Sequence, residues 1–352
     1  MNNCYYVIGV MSGTSLDGVD ICYSKFTYNK QLEFKILKAS TCKYDSYWRN
    51  KLNAAISLKD DQLKLLDIEY SLYLSNLISN FILENNVDEN VIICSHGHTV
   101  FHQPKKGITK QIGNRLELKT YLKYPIICDF RVQDVELGGQ GAPLVPIGDK
   151  YLFYKYEYCL NLGGFANISF EHNEHRIAFD ICPVNILLNH YCKELDIEYD
   201  DKGLISSRGE VHLELLEQLN SLDFYKKSYP KSLGLEWVKE FVLPIIETKK
   251  VKVQDVLRTF IEHIAIQIDN VLKNKPLGKL FITGGGAYNT FLVSRIKAKL
   301  AHNIVIPELE IIDFKEALIF GFLGVLKLRN EPNCLQSVTG AIHDHSSGKI
   351  YE

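Results

Sequence analysis

No apolar run in this chain approaches the roughly 18 residues that would cross a bilayer. The Met1–Val10 start also lacks the basic segment and small-residue cleavage site of an export signal. A surplus of positive charge is missing too. Forty Lys and Arg stand against 42 Asp and Glu, and the formal charge of -2 gives no field with which to hold nucleic acid or an anionic membrane surface. The nine cysteines are an odd number and include no Cys-x-x-Cys pair. That pattern suits a reducing compartment, and several thiols, such as Cys94 and Cys128, lie in apolar strand-like runs where a free thiol packs as a small hydrophobe. Low-complexity linkers and short-period repeats are absent, as are a Walker A motif and a Gly-x-Gly-x-x-Gly motif. These absences lead us to expect a cytosolic protein with neither a nucleic-acid nor a membrane partner.

What is present is 352 residues at 46% hydrophobic content, more than one compact core usually holds, so two domains are expected. Two β-runs, Cys4–Val10 and Val19–Tyr28, flank the polar stretch Ser12–Gly18 and read as a hairpin. Apolar residues Leu63, Leu66, Tyr70, Leu74, Leu77 and Phe81 recur at steps of three and four and predict an amphipathic helix. Short strands at Val91–Cys94 and Ile126–Cys128 then alternate with a helix over 114–122, the rhythm of an α/β fold. The glycine-rich segment Leu137–Pro146 interrupts it. We place the domain boundary there, giving 1–136 (rejoined by 332–352) and 137–331. The second half opens on another hairpin, Tyr158–Leu162 and Ile168–Phe170, around Gly163-Gly164-Phe165-Ala166-Asn167. It continues with a long helix marked by Leu257, Phe260, Ile264, Ile268 and Val271. A strand, Lys279–Ile282, ends in Thr283-Gly284-Gly285-Gly286, and the apolar stretch Ala317–Leu326 reads as a buried helix.

Three glycine-rich turns that each follow an apolar strand are what a nucleotide site needs, because glycine lets backbone N–H groups approach phosphate oxygens. Each alone is equally an ordinary tight turn. The first also carries Asp17 and Asp20, which could order Mg²⁺ or its waters beside a triphosphate or merely cap the turn. Ser95-His96-Gly97-His98-Thr99 with His102 invites a zinc reading, but no third ligand stands at a recognisable spacing, and a loop lining a cleft is the alternative. His263, His343 and His345 read as solvated or packed. Asp180, after Ile177–Phe179 and before Pro183, falls at a strand end facing a cleft, or else caps the helix that follows. Glu316 abuts a very apolar helix, either at its exposed start or paired in a site.

Together, Met11-Ser12-Gly13-Thr14-Ser15-Leu16-Asp17-Gly18-Val19-Asp20, Ser95–Val100, Gln111-Ile112-Gly113, Asp129-Phe130-Arg131, Leu137–Pro146, Asn161-Leu162-Gly163-Gly164, Thr283–Gly286 with Asn289, and Ser337–Ala341 closely resemble the anhydro-N-acetylmuramic acid kinase family. The match runs the length of the chain. The resemblance implies two actin-like, ribonuclease H-like α/β domains of hexokinase type flanking an ATP and sugar cleft, usually in a homodimer. It also implies ATP with Mg²⁺, and conversion of 1,6-anhydro-N-acetylmuramate, ATP and water to N-acetylmuramate 6-phosphate and ADP in peptidoglycan recycling.

Carried over by motif, Gly13, Thr14, Ser15, Leu16, Asp17, Gly18, Val19 and Asp20 contact the ATP phosphates, and Mg²⁺ comes with ATP near Asp17. Gly163 and Gly164 form the second phosphate turn, and Gly284, Gly285, Gly286 and Asn289 lie by the adenosine. Asp180 is the catalytic base, and His98, Arg131 and Glu316 shape the sugar side. The chain departs from the pattern at Ile181-Cys182-Pro183-Val184-Asn185, where Thr-Gly-Pro-Gly-Asn is usual, and at His98, where glutamine is common. A kinase of the same fold for another amino sugar, or a non-catalytic nucleotide and sugar sensor, are the alternatives.

Overall fold

The computed structural model describes residues 4–13, 15–29, 31–114 and 116–352. The chain divides into two compact units, Met1–Leu152 with Phe314–Glu352, and Phe153–Asp313. The division thus falls after Leu152 and after Asp313, not at 136/137 and 331/332. Helix Pro146–Tyr151 and helix Leu309–Leu328 both serve the first unit: Lys315 Nζ lies 2.7 Å from Asp149 Oδ1, and both side chains are buried.

In the first unit β1 (Cys4–Ser12), β2 (Gly18–Tyr28) and β3 (Leu32–Lys43) form an antiparallel meander. Aromatic and β-branched residues dominate β1 and β2, as a pleated, buried surface favours. β4 (Ile92–Gln103) lies parallel to β1, β5 (Ile108–Ile112) turns back against the far end of β4, and β6 (Ile126–Cys128) lies parallel to β4. The amphipathic helix, Asp60–Glu84, puts Leu63, Leu66, Tyr70, Leu74 and Phe81 into the core with Ile8, Val10, Ile21 and Ile93, while Leu77 is only partly buried.

The second unit repeats the plan. β7 (Tyr158–Leu162), β8 (Phe165–His172) and β9 (His175–Pro183) form an antiparallel meander, β10 (Lys279–Thr283) lies parallel to β7, and β11 (Asn303–Val305) lies parallel to β10. Phe260, Ile264 and Ile268 of helix Val253–Leu272 cover this sheet together with Leu160, Ile168, Leu280 and Ile282. Strand orders β6-β4-β1-β2-β3 and β11-β10-β7-β8-β9 are one ribonuclease H-like topology used twice. The hairpins at Cys4 and Tyr158 are therefore equivalent elements of two actin-like units.

β12 (Lys349–Tyr351) closes the first sheet by pairing antiparallel with β6. Helix Leu309–Leu328 is seated on β1 at a glycine contact. A Cβ on Gly9 would fall on the Ala317 carbonyl and lie 2.9 Å from Gly321 N, and one on Gly321 would lie 3.1 Å from Val7 Cγ2. Two hydrogen-only side chains let helix and strand backbones touch.

Candidate active site

The first turn follows from the end of β1. Gly13, Ser15, Leu16 and Asp17 leave the strand, Leu16 takes a left-handed φ of 60°, and the Asp17 carbonyl accepts Tyr44 N–H at 3.3 Å. Thr14 lies outside the described residues. The Asp17 side chain is exposed and bonds to no protein group among the described residues, so its carboxylate fits a hydrated cation. Gly18, Val19 and Asp20 belong to β2. Val19 is wholly buried, leaving only its backbone for a ligand, and Asp20 Oδ1 accepts a 2.6 Å bond from Thr41 Oγ1 on β3.

The histidine segment corrects a sequence expectation. Ser95–Thr99 is no loop but the middle of β4, because it is held from both sides: Ser95 pairs with Val10, and His98 with Ser12 and Ile112. Gly97, at φ 71°, supplies the kink that lets it bend between them. His98 lies beneath the first turn, buried, its Nδ1 3.0 Å from Ser12 Oγ, which is itself 2.7 Å from Tyr44 Oη. Burial pulls its pKa down to about 4, so at neutral pH it is an uncharged prop for the turn. His96, also buried, accepts from Arg131 Nε at 2.8 Å through Nε2, which fixes the guanidinium, and Arg131 Nη1 donates to Gly141 O at 2.6 Å.

Glu316 is not at a helix start. It lies within helix Leu309–Leu328 and is open to solvent. Surrounding protein pushes its carboxyl upward while Arg131 and Lys315 pull it down, and solvent access limits the push. Asp20 adds to the upward push, so Arg131, Lys315 and Asp20 all lie within electrostatic reach of Glu316.

In the second unit Thr283 pairs with Asn161, so the turns after β7 and β10 lie side by side at the carboxyl ends of parallel strands, where open α/β sheets bind ligands. The second turn is only Gly163-Gly164, since Phe165–Asn167 already pair in β8. Gly284, at φ 82°, has no room for a side chain: a Cβ would lie 2.5 Å from Asn161 Oδ1 and 2.9 Å from the Leu162 carbonyl. The N–H groups of Gly163, Gly164 and Gly284 donate to no protein acceptor among the described residues, which suits an anion. Gly285 and Gly286 open the short turn Gly285–Tyr288, and Asn289 then caps helix Thr290–Lys299, its Oδ1 accepting Leu292 N–H at 2.9 Å.

Asp180 is inside β9 and does not cap the next helix, which runs Asn185–Cys192 from Val184. Its backbone N–H donates to Lys231 O at 3.1 Å and its Oδ2 accepts Leu233 N–H at 2.8 Å. Burial pushes its pKa up to about 6 against that hydrogen bond. Oδ1 has no protein donor among the described residues. A carboxylate aimed by one backbone bond, with one free oxygen and a pKa near neutrality, is equipped to take a proton. Sequence reasoning missed the Lys231–Leu233 strap, because backbone donors carry no residue signature. It also missed the roles of His96 and Asp149.

The family model described as anhydro-N-acetylmuramic acid kinase matches residues 5–352. A relative of that name from Mannheimia succiniciproducens is 33% identical, covering 98% of this chain and 98% of its own. Another from Hydrogenovibrio crunogenus is 31% identical, covering 98% and 97%. Among solved structures, component A of the (R)-2-hydroxyglutaryl-CoA dehydratase of Acidaminococcus fermentans is similar at TM-score 0.47 and 11% identity, covering 89% of this chain and 95% of its own.

Proposed function

The chain belongs to the anhydro-N-acetylmuramic acid kinase family, and we propose that it uses ATP to phosphorylate O6 of 1,6-anhydro-N-acetylmuramate while water opens the anhydro ring. The observation that carries the mechanism is Asp180, a buried carboxylate with one oxygen fixed by Leu233 N–H and a pKa near 6. Asp180 takes a proton from water as the water oxygen attacks the anomeric carbon. The bond from that carbon to O6 breaks, and O6 receives the γ-phosphoryl group as the bond from the γ-phosphorus to the β,γ-bridging oxygen breaks and ADP leaves.

Backbone N–H groups carry the phosphate contacts, those of the first turn in the first unit and those of Gly163-Gly164 and Gly284–Gly286 in the second. Asp17 would hold Mg²⁺ through its waters, and the metal would supply charge neutralisation on the phosphates. Arg131, oriented by His96, and Glu316 meet the sugar, while His98 acts from below through Ser12. A cytosolic address and a homodimer belong to the same reading and rest on the family alone.

The test is ADP release from Mg·ATP with and without 1,6-anhydro-N-acetylmuramate, with mass analysis of the sugar. The expected product is heavier than the substrate by phosphate and water. Sugar-dependent ADP with a different amino sugar alone would replace this substrate, and ADP release indifferent to any sugar would remove the kinase reading.

The pH dependence follows from the same carboxyl. A base must be ionised, and the Asp180 pKa is raised from 3.8 to about 6. The acidic limb of kcat/KM is therefore expected to climb as pH rises through about 6 and to level off near neutrality. A profile flat between about pH 5 and 7 would take the base role from Asp180.

A further inference from the structure

Beside Arg131, which acts electrostatically on Asp134 and Cys334 and shares Gly141 with Asp134 as a hydrogen-bond partner, three ligand-type side chains converge in the first unit. Asp134, Cys334 and His345 are all buried, and one ligand atom from each lies within 4.8 Å of the others. They come from distant parts of the chain. Asp134 stands on helix Val132–Glu136, while Cys334 and His345 face each other across a small antiparallel bridge in the tail, with Cys334 N donating to His345 O at 3.0 Å and the reverse bond at 3.2 Å.

The hydrogen bonds around them orient the three atoms inward. His345 Nδ1 lies 3.1 Å from His343 O, and since a carbonyl can only accept, that nitrogen carries the proton. Nε2 faces the carboxylate. It is buried without a hydrogen-bond partner, 3.5 Å from Asp134 Oδ1. The carboxylate is fixed in turn by Thr339 Oγ1 at 2.7 Å and Gly141 N–H at 2.6 Å. An imidazole nitrogen, a carboxylate oxygen and a sulfur gathered within 4.8 Å of one another are donor types that one cation can satisfy together. A metal-binding histidine whose other nitrogen bonds a carbonyl, and a ligating carboxylate held by outer hydrogen bonds, are the usual supports of a metal centre.

We infer that Asp134, Cys334 and His345 form a binding site for a borderline-soft divalent cation of the zinc type, with a fourth position left for water. Ligand bonds of about 2.0–2.3 Å require only modest contraction of this cluster. Sulfur and imidazole select zinc or cobalt over magnesium and calcium. On binding, the Cys334 S–H bond breaks, the sulfur–metal bond forms and the proton leaves to solvent.

The site's role is to fasten the tail. Gln140 N donates to Thr339 O at 2.8 Å and Ile342 N to Leu137 O at 3.1 Å, so the metal would lock an existing seam between the tail and the glycine-rich 137–141 loop. The sequence hid it, because Cys334 and His345 stand apart from each other and far from Asp134.

The experiment is elemental analysis of purified full-length protein, with titration of the metal-stripped chain with Co²⁺ alone, on wild type and Cys334→Ser. Expected are about one equivalent of metal per wild-type chain, a near-ultraviolet thiolate-to-cobalt band, and loss of both in the variant. No thiolate band in folded wild-type protein would overturn the inference and leave an imidazolium–carboxylate pair. So would equal metal content in wild type and variant. If Cys334→Ser fails to fold, His345→Gln serves, and the wild-type cobalt spectrum decides alone.

Discussion

Asp180→Asn is expected to lower kcat by about 10² to 10⁴ while leaving the fold at least as stable as the wild type. The loss follows from geometry. Asparagine can still accept Leu233 N–H and keep its place in β9, but it cannot take a proton from water. The stability gain follows from linkage. A carboxyl whose pKa is raised from 3.8 to about 6 on folding binds its proton more tightly in the folded state. Its contribution to stability is therefore best below about pH 4, declines as pH climbs through the window, and is lowest above about 6. At neutral pH the buried charge costs on the order of 2–3 kcal/mol, which asparagine removes. Thermal melting at pH 7 beside single-turnover kinetics checks both halves. A variant that melts lower and turns over slowly would mean that Asp180 supports β9 and is not the base.

Gly9→Ala is expected to destabilise the first unit by about 3 kcal/mol or more, seen as a melting transition roughly 10 °C lower or as insoluble chain. The added methyl meets the Ala317 carbonyl and lies 2.9 Å from Gly321 N, backbone that cannot swing aside as a side chain could. Strand and helix must separate, and since β1 leads into the turn proposed to hold phosphate, nucleotide binding should fall with the fold. Gly107→Ala is the control. Gly107 has φ 69° but nothing within 4 Å of its Cβ position, so only the backbone cost of about 1–2 kcal/mol is expected. If Gly9→Ala melts within two or three degrees of wild type, the helix is not seated as described.

The parts of this fold legible in the sequence were those that local pattern controls. The period of Leu63 to Phe81 located its helix, and the runs at Cys4 and Tyr158 located two hairpins that the structure shows to be equivalent. What escaped was decided at a distance. Ser95–Thr99 has the glycine and histidines of a loop, yet pairing with β1 and β5 makes it a strand. The apolar helix around Ala317 gives no hint of which sheet it serves; Gly9 and Gly321 decide that. Asp180 was picked out by its place after the apolar run Ile177–Phe179, although it lies inside β9 and not at its end, whereas the backbone strap that tunes it has no signature in side chains. His345 reads as solvated or packed, and only the placement of Cys334 opposite it decides for packed.

The split composition of the first unit also sets an order of events on the ribosome. Residues of Phe153–Asp313 emerge as one stretch and can fold as soon as they clear the exit tunnel. The first unit, although it is made first, must wait for helix Leu309–Leu328 to cover β1 and for β12 to close against β6. At about 5–20 residues per second that wait is on the order of ten to forty seconds. Through it, the apolar face around Val7 and Gly9 stays uncovered by its own chain. The nascent polypeptide is therefore expected to mature back to front, its first unit completed last.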